Sequence, residues 1–256
     1  MSERLARASL TRLFEPQDAV GLALVAVLGP EGALTVITSG CAPDPSLERS
    51  LHELLAEHGG NTSWKGLGAA FARWRPRVSS LAPERDLMVV ERLGGGFLIP
   101  SDGHWPQQLE DLGLQAPLGL WYRGNPSLLP DAEHAVAVVG SRDSTAYGST
   151  VSADIAHGLA RRGFTVVSGG AYGIDAHAHR AALAGADPGC ERAPTVAFMA
   201  GGLDRFYPSG NDELLRTVAR RGLVLAEVPP RRGTHPVPVP PTEPDDRCVR
   251  RCDSGG

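Results

Sequence analysis

Hydrophobic positions recur with two different periods along this chain, and the change of period divides it. Up to about residue 85 the apolar residues fall at helical spacing: Leu5, Leu10, Leu13 and Phe14, then Leu51, Leu54 and Leu55, then Leu67, Ala70, Phe71 and Trp74. Each group predicts an amphipathic helix. The stretch from Val20 to Ile37 alternates apolar residues with glycines and is left without an element. A second unit begins near Leu87, where short apolar runs take over. Gly94-Gly95-Gly96 before Phe97-Leu98-Ile99 predicts a turn and a strand. Asp102 to Pro106, with Leu109 and Leu112, predicts a loop entering a short helix. Leu118 to Arg123 predicts a strand closed by Gly124-Asn125-Pro126.

Beyond that point the alternation is regular. Strands at 136–139, 165–167, 195–199 and 223–226 are separated by helices at 147–161, 174–183 and 211–220. This order predicts right-handed crossovers and a Rossmann-like, doubly wound parallel α/β sheet. Phosphate ligands of such sheets sit at the carboxyl ends of the strands. Gly140-Ser141-Arg142, Ser168-Gly169-Gly170 and Ala200-Gly201-Gly202 all fall there. The segment Phe164 to His179 is the most informative of the three. An apolar strand runs into Ser168, Gly169, Gly170, Ala171, Tyr172 and Gly173, and Ile174 then opens an alanine-rich helix. Unpaired amides and the helix dipole make that junction an anion site, so the expected ligand carries phosphate.

Composition narrows the setting. A 256-residue chain with 42% hydrophobic content supports a sizeable core in one or two domains. It has no run of 18 apolar residues, and three arginines interrupt the first twelve positions, so neither a membrane span nor a secretory leader is expected. Cys41, Cys190, Cys248 and Cys252 lack disulfide-framework or zinc spacing, which predicts a reduced, cytoplasmic protein. Net charge is −4, and from His134 to Pro230 nine arginines face nine carboxylates. Any nucleic acid must therefore be held by a local patch.

Individual residues carry alternatives. Arg142 can fork onto phosphate oxygens or pair with Asp143 or Asp175. Asp175 and His179 lie four apart on one helix face, as an acid–base pair requires, but an aspartate at a helix start more often serves the helix terminus. Tyr172 can stack on a base or cover the loop. Asn211 is placed to cap a helix, and Pro208 to fix its turn. Arg73, Arg75 and Arg77 read as a solvated helix end. No serine–histidine–aspartate set and no metal-ligand cluster can be assembled, so neither catalytic residues nor a cofactor is expected.

Taken in order, Val138-Val139-Gly140-Ser141-Arg142, then Ser168 to Asp175 with His179, then Gly202-Leu203-Asp204 with Tyr207-Pro208 and Asn211, then Glu227-Val228-Pro229, resemble the DNA-processing protein DprA (Smf) family. The resemblance covers roughly residues 87–230. It implies a non-enzymatic protein of natural transformation that binds and protects single-stranded DNA, loads RecA and dimerises through its Rossmann-like domain. It also implies a small helical, SAM-like domain at 1–85 before a DNA-binding domain at 86–230. Carried over by motif, the DNA contacts are Gly140, Ser141, Arg142, Ser168, Gly169, Gly170, Ala171, Tyr172, Gly173 and Asp175. Tyr172 departs from the lysine or arginine frequent at its position in the family. The rival reading is a nucleotide-binding enzyme or sensor of the phosphoribohydrolase-like superfamily, with Asp175 or Asp204 as its carboxylate; a non-functional product is a third.

After Pro230 the pattern stops. Residues 231–256 contain five prolines and no leucine, isoleucine or phenylalanine, the composition of a disordered tail. A sharper expectation is a shift of reading frame. Joining the last two bases of each tail codon to the first base of the next permits G-A-V-P-T-R-Y-R-F-L-Q-R-N-R-M-I-A, the continuation expected of the family. One inserted base after the codon for Pro230 accounts for it. The sheet is then expected to be incomplete, with an open edge beside the strand Leu223–Ala226. Much of the arginine facing the phosphate site is lost, and single-stranded DNA binding is expected to be weak or absent.

Overall fold

The structure is a computed structural model that describes residues 1–58, 65–187, 189 and 191–230. The expectations for 231–256, the frame shift included, lie outside the described residues, as do Cys190, Cys248 and Cys252.

Five helices come first: α1 (Glu3–Leu13), α2 (Ala19–Thr38), α3 (Pro45–Glu57), α4 (Leu67–Trp74) and α5 (Pro83–Arg92). Leu10, Leu13, Phe14, Leu24, Leu34, Ile37, Leu51, Leu67, Phe71 and Trp74 interlock as their core. The segment that lacked a period is α2. It breaks at Gly29 (φ 69°, ψ 167°), immediately before Pro30, whose ring cannot follow a helical residue without strain. Two short helices meeting at an angle expose different faces, which erases a single 3.6-residue period. By length and composition α2 could cross a membrane, with a mean hydropathy of 1.9. Broken at Gly29, however, each half spans only about 15 Å, and its Leu22, Leu24, Leu34 and Ile37 are buried in the helical core. Helix α5 crosses the boundary expected between residues 85 and 86.

The arginines of the expected solvated cluster are engaged internally. Arg77 donates to Leu13 O and pairs with Glu15, Arg73 pairs with Asp18, and Arg75 lies over the Phe71 ring.

The second half is an α/β unit: β1 (Gly95–Leu98), β2 (Leu120–Gly124), β3 (Ala135–Ala137), α6 (Ala146–Arg161), β4 (Thr165–Gly169), α7 (Ile174–Gly185), β5 (Thr195–Met199), α8 (Asp212–Arg221) and β6 (Leu223–Ala226). The six strands form one sheet in the order β1-β2-β6-β5-β4-β3. Its α/β class is the expected one, and β3 to β6 are parallel, but the sheet as a whole is mixed. The hairpin β1–β2 adds antiparallel to β6, with Trp121 opposite Ala226 and Arg123 opposite Val224. The edge expected to be open beside Leu223–Ala226 is therefore closed. Helices α6, α7 and α8 share one face of the sheet, against Val166, Ala197, Val224 and Ala226. Strand order explains this arrangement. Each crossover from β3 to β6 steps in one direction, and right-handed steps in one direction leave their helices on one side.

Candidate nucleic-acid interface

Three turns meet at the carboxyl ends of β3, β4 and β5. Gly140-Ser141-Arg142 follows β3. A Cβ on Gly140 would lie 2.8 Å from the Ile174 side chain, so only glycine lets this turn reach the start of α7. Ile174 N–H donates to Ser141 O at 3.1 Å. Gly173, at φ 74°, takes the N-cap position of α7 without a side chain to fill the helix amides. A Cβ there would come within 2.3 Å of Ser141 O. The first two turns are thus pressed together, and the open positive end of α7 lies between them.

Several expected contact residues face inward. The Ser168 hydroxyl donates to Val138 O at 2.6 Å and is buried between strands. Ser141 spends its hydroxyl on Asp143 O within its own turn. Asp175 is buried and accepts from Ala171 N–H at 3.2 Å, which supports the helix-terminus role over the acid–base one. Ser168 and Asp175 shape the loop from inside, while Ser141 lies exposed on its turn. Gly169, Gly170 and Ala171 contribute backbone. A Cβ at Gly169 would lie 2.5 Å from Asp175 Oδ2, and one at Gly170 2.5 Å from Met199 Sδ.

Two residues hold the loop from below. His179 is buried between Gly169 O at 2.8 Å and Thr195 Oγ1 at 2.6 Å. Gly169 O only accepts, so Nε2 carries a proton, while the Thr195 hydroxyl beside Nδ1 donates to Val166 O at 2.7 Å. Burial lowers the basicity of this ring, against the opposing pull of the Gly169 hydrogen bond and of Asp175. Asn211 stands at the N-cap position of α8 but makes no cap bond. Its amide instead donates to Gly170 O at 3.1 Å and Ala171 O at 2.8 Å. Neither tie was legible in the sequence, because both partners are backbone carbonyls brought in by the fold.

Outward-facing side chains on the three turns include Arg142, Tyr172, Arg205 and Tyr207. Arg142 is exposed and makes no hydrogen bond or ion pair among the described residues. Tyr172 is 48% exposed, and its hydroxyl accepts from Gly210 N–H at 3.3 Å, which stands the ring upright between the second and third turns. Tyr207 is 69% exposed on the third turn. That turn is seated by Gly202, where a Cβ would lie 2.5 Å from Pro229 O. Beneath it Arg123, buried in β2, donates to Leu203 O at 3.1 Å and lies under the Phe206 ring. No group of three or more metal-ligating side chains occurs among the described residues. Among the described residues the arrangement offers the exposed guanidinium groups of Arg142 and Arg205, a helix N-terminus and aromatic faces.

The family model described as DNA recombination-mediator protein A matches residues 96–240. A DNA processing protein DprA of Mycobacterium tuberculosis is 37% identical over 233 residues, covering 87% of this chain and 52% of that protein. Protein Smf of Synechocystis is 35% identical over 168 residues, covering 62% and 39%. The chain thus spans about half the length, or less, of the curated relatives it matches. The X-ray structure of DNA processing protein A from Streptococcus pneumoniae shares the fold, with a TM-score of 0.56 at 24% identity over 91% of this chain and 70% of that one. The family model covers more than half of the sequence, and the chain belongs to the DNA recombination-mediator protein A family, known as DprA or Smf.

Proposed function

We propose that this chain binds single-stranded DNA along the carboxyl edge of β3, β4 and β5, as a recombination mediator of natural transformation. The observation that carries the reading is Arg142, an unpaired guanidinium beside the uncapped start of α7. Phosphate is the ligand this pair favours, because a helix N-terminus and a guanidinium both attract anions. Tyr172 supplies a ring on which any base can stack, which suits binding without sequence preference. Gly140, Ser141, Ser168, Gly169, Gly170, Ala171, Gly173 and Asp175 belong to the site as its scaffold and backbone donors. The role is binding without catalysis. Of the two carboxylates an enzyme reading can call on, Asp175 and Asp204, the first is buried and accepts from Ala171 N–H. Loading of RecA, dimerisation through the Rossmann-like unit, cytoplasmic location and the division into units 1–85 and 86–230 complete the proposal and rest on family membership.

With only Arg142 and Arg205 exposed and unpaired on the described turns, affinity is weak and its salt dependence shallow. The test is fluorescence anisotropy with an oligothymidylate across a salt series. Each phosphate neutralised contributes about −0.7 to the slope of log K against log salt. Arg142→Ala is expected to remove about that much and to weaken binding at low salt. Tight binding indifferent to Arg142→Ala would sink the proposal. Frame-restored protein is expected to bind more tightly and with a steeper slope.

A further inference from the structure

Near the amino end of β3, away from the turns that carry Arg142, lies a cleft of about 540 Å³. One wall is the loop and 3₁₀ segment from Gly103 to Asp111, and the other is the connection from Pro126 to Ala132 that leads into β3. Proline stiffens both walls, at Pro106 on the first and at Pro126 and Pro130 on the second. Trp105 also lines the cleft and belongs to the apolar cluster of Leu98, Leu120 and Leu225, on the sheet face opposite the helices. Its indole is the anomaly. Trp74, Trp105 and Trp121 are all buried. Trp74 Nε1 donates to Asp18, and Trp121 Nε1 donates to Thr11 Oγ1. Trp105 Nε1 has no partner, and among the described residues no other buried side-chain nitrogen or oxygen is left so. A buried donor without an acceptor is costly, so one that borders a cleft marks where an acceptor arrives.

Charge selects what carries that acceptor. Asp111 is exposed and makes no hydrogen bond or ion pair among the described residues. Asp131 spends Oδ1 on the backbone N–H and ring of His134 and keeps Oδ2 free. No lysine or arginine lines the cleft, and Arg192 and His134 act on Asp131 from outside it. Such a lining repels phosphate and suits a guanidinium. We infer that the cleft is a docking site for an arginine-bearing polyproline II segment of a partner protein. The carbonyls of a helix, or of a strand within a sheet, are already bonded. A polyproline II segment presents its carbonyls unpaired, ready for a single indole N–H. Neither wall is a strand, so a peptide cannot be added here as one more strand of a sheet. The partner's rings then lie against Pro106, Pro126 and Pro130, and its guanidinium reaches Asp111 and Asp131. The site does not rest on the DNA reading. It stands at the other end of β3 and uses the opposite charge, so either can fail without the other.

The experiment titrates the 256-residue chain, isotope-labelled in its tryptophan indoles, with two peptides. These are acetyl-Arg-Pro-Pro-Ala-Pro-Pro-amide and acetyl-Pro-Pro-Ala-Pro-Pro-Arg-amide, so that either chain direction can be accepted. At up to about 1 mM peptide, the Trp105 indole proton is expected to move downfield with at least one of them, while those of Trp74 and Trp121 stay in place. Asp131→Asn is expected to weaken binding about two- to fivefold, and Asp111→Lys about tenfold. Neither change should alter the melting temperature, because both side chains are exposed. Glutamate in place of the peptide arginine is expected to abolish binding, and Arg142→Ala to leave it intact. A Trp105 indole unmoved by both arginine peptides overturns the inference, as does binding indifferent to Asp111→Lys. If an oligothymidylate moves the Trp105 indole, the cleft belongs to nucleic acid. If the peptides bind only when Pro236, Pro238, Pro240 and Pro241 are all changed to alanine, the cleft belongs to this chain's own end. Either result overturns the assignment to a partner.

Discussion

The His179 ring is buried between Gly169 O and Thr195 Oγ1, and burial opposes its charged form. Its basicity in the fold lies below that of the unfolded chain, so the unfolded state takes up protons first as pH falls. The stability it contributes is complete above the ordinary histidine range near 6.5 and is lost as pH drops through and below that range. A melting-temperature series from about pH 7.5 to 5.5 should therefore slope downward toward acid, and His179→Gln should flatten it; an unchanged slope would count against this assignment. Gly173 gives a second test. Gly173→Ala meets both a positive φ and Ser141 O at 2.3 Å and is expected to cost roughly 2–3 kcal/mol and to weaken DNA binding. Gly163→Ala, with φ 80° and open space around it, isolates the backbone strain and should cost about 1 kcal/mol, read from urea midpoints. Glycine-rich turns could be read from the sequence because their chemistry is local. The inward turn of Ser168 could not, since it depends on Val138 arriving from thirty positions away.

Among the elements, those with a continuous apolar run or a single helical stripe were legible. The strands 195–199 and 223–226 match the observed β5 and β6, and α6, α7 and α8 differ from expectation by one or two residues at their ends. Helix α2 was hidden by its break at Gly29, and the pairing of β2 with β6 was hidden because register between distant strands leaves no local signal. The start of α2 also depends on a distant partner. Asp18 accepts from Gly21 N–H at 3.3 Å and from the buried Trp74 indole at 2.9 Å. Asp18→Ala removes a cap and orphans a buried donor, at an expected cost of about 2–4 kcal/mol. Asp18→Asn keeps one acceptor oxygen, which can serve the indole, and should recover about half of that in chemical denaturation. Equal losses for the two variants would remove the indole from the account.

At the scale of the molecule, α1 stitches the helical core to the sheet. Ala6, Leu10 and Leu13 face the helical core, while Ala8 lies among Phe97, Trp121 and Val224. Thr11 Oγ1 accepts from the Trp121 indole at 3.2 Å, and Arg4 pairs with Asp102. The two cores therefore should melt together. In urea, fluorotryptophan resonances of Trp74 and Trp121 are expected to share one midpoint, and separated midpoints would show that the helical region unfolds alone. The α/β class was legible from alternating elements, and the motif order pointed to the family. The side on which the sheet stays open was not, because it is set by the hairpin β1–β2, whose place beside β6 no local pattern announces.

Arg12 in α1 donates to Pro230 O at 2.8 Å, across 218 positions of sequence. During synthesis the first helix leaves the ribosome long before that acceptor exists. At about 5–20 residues per second, α1 waits on the order of 10–40 seconds for its last partner. Until then the surface meant for Trp121 and Pro230 stays exposed on the nascent chain, so the earliest helix made is among the last to be fully seated.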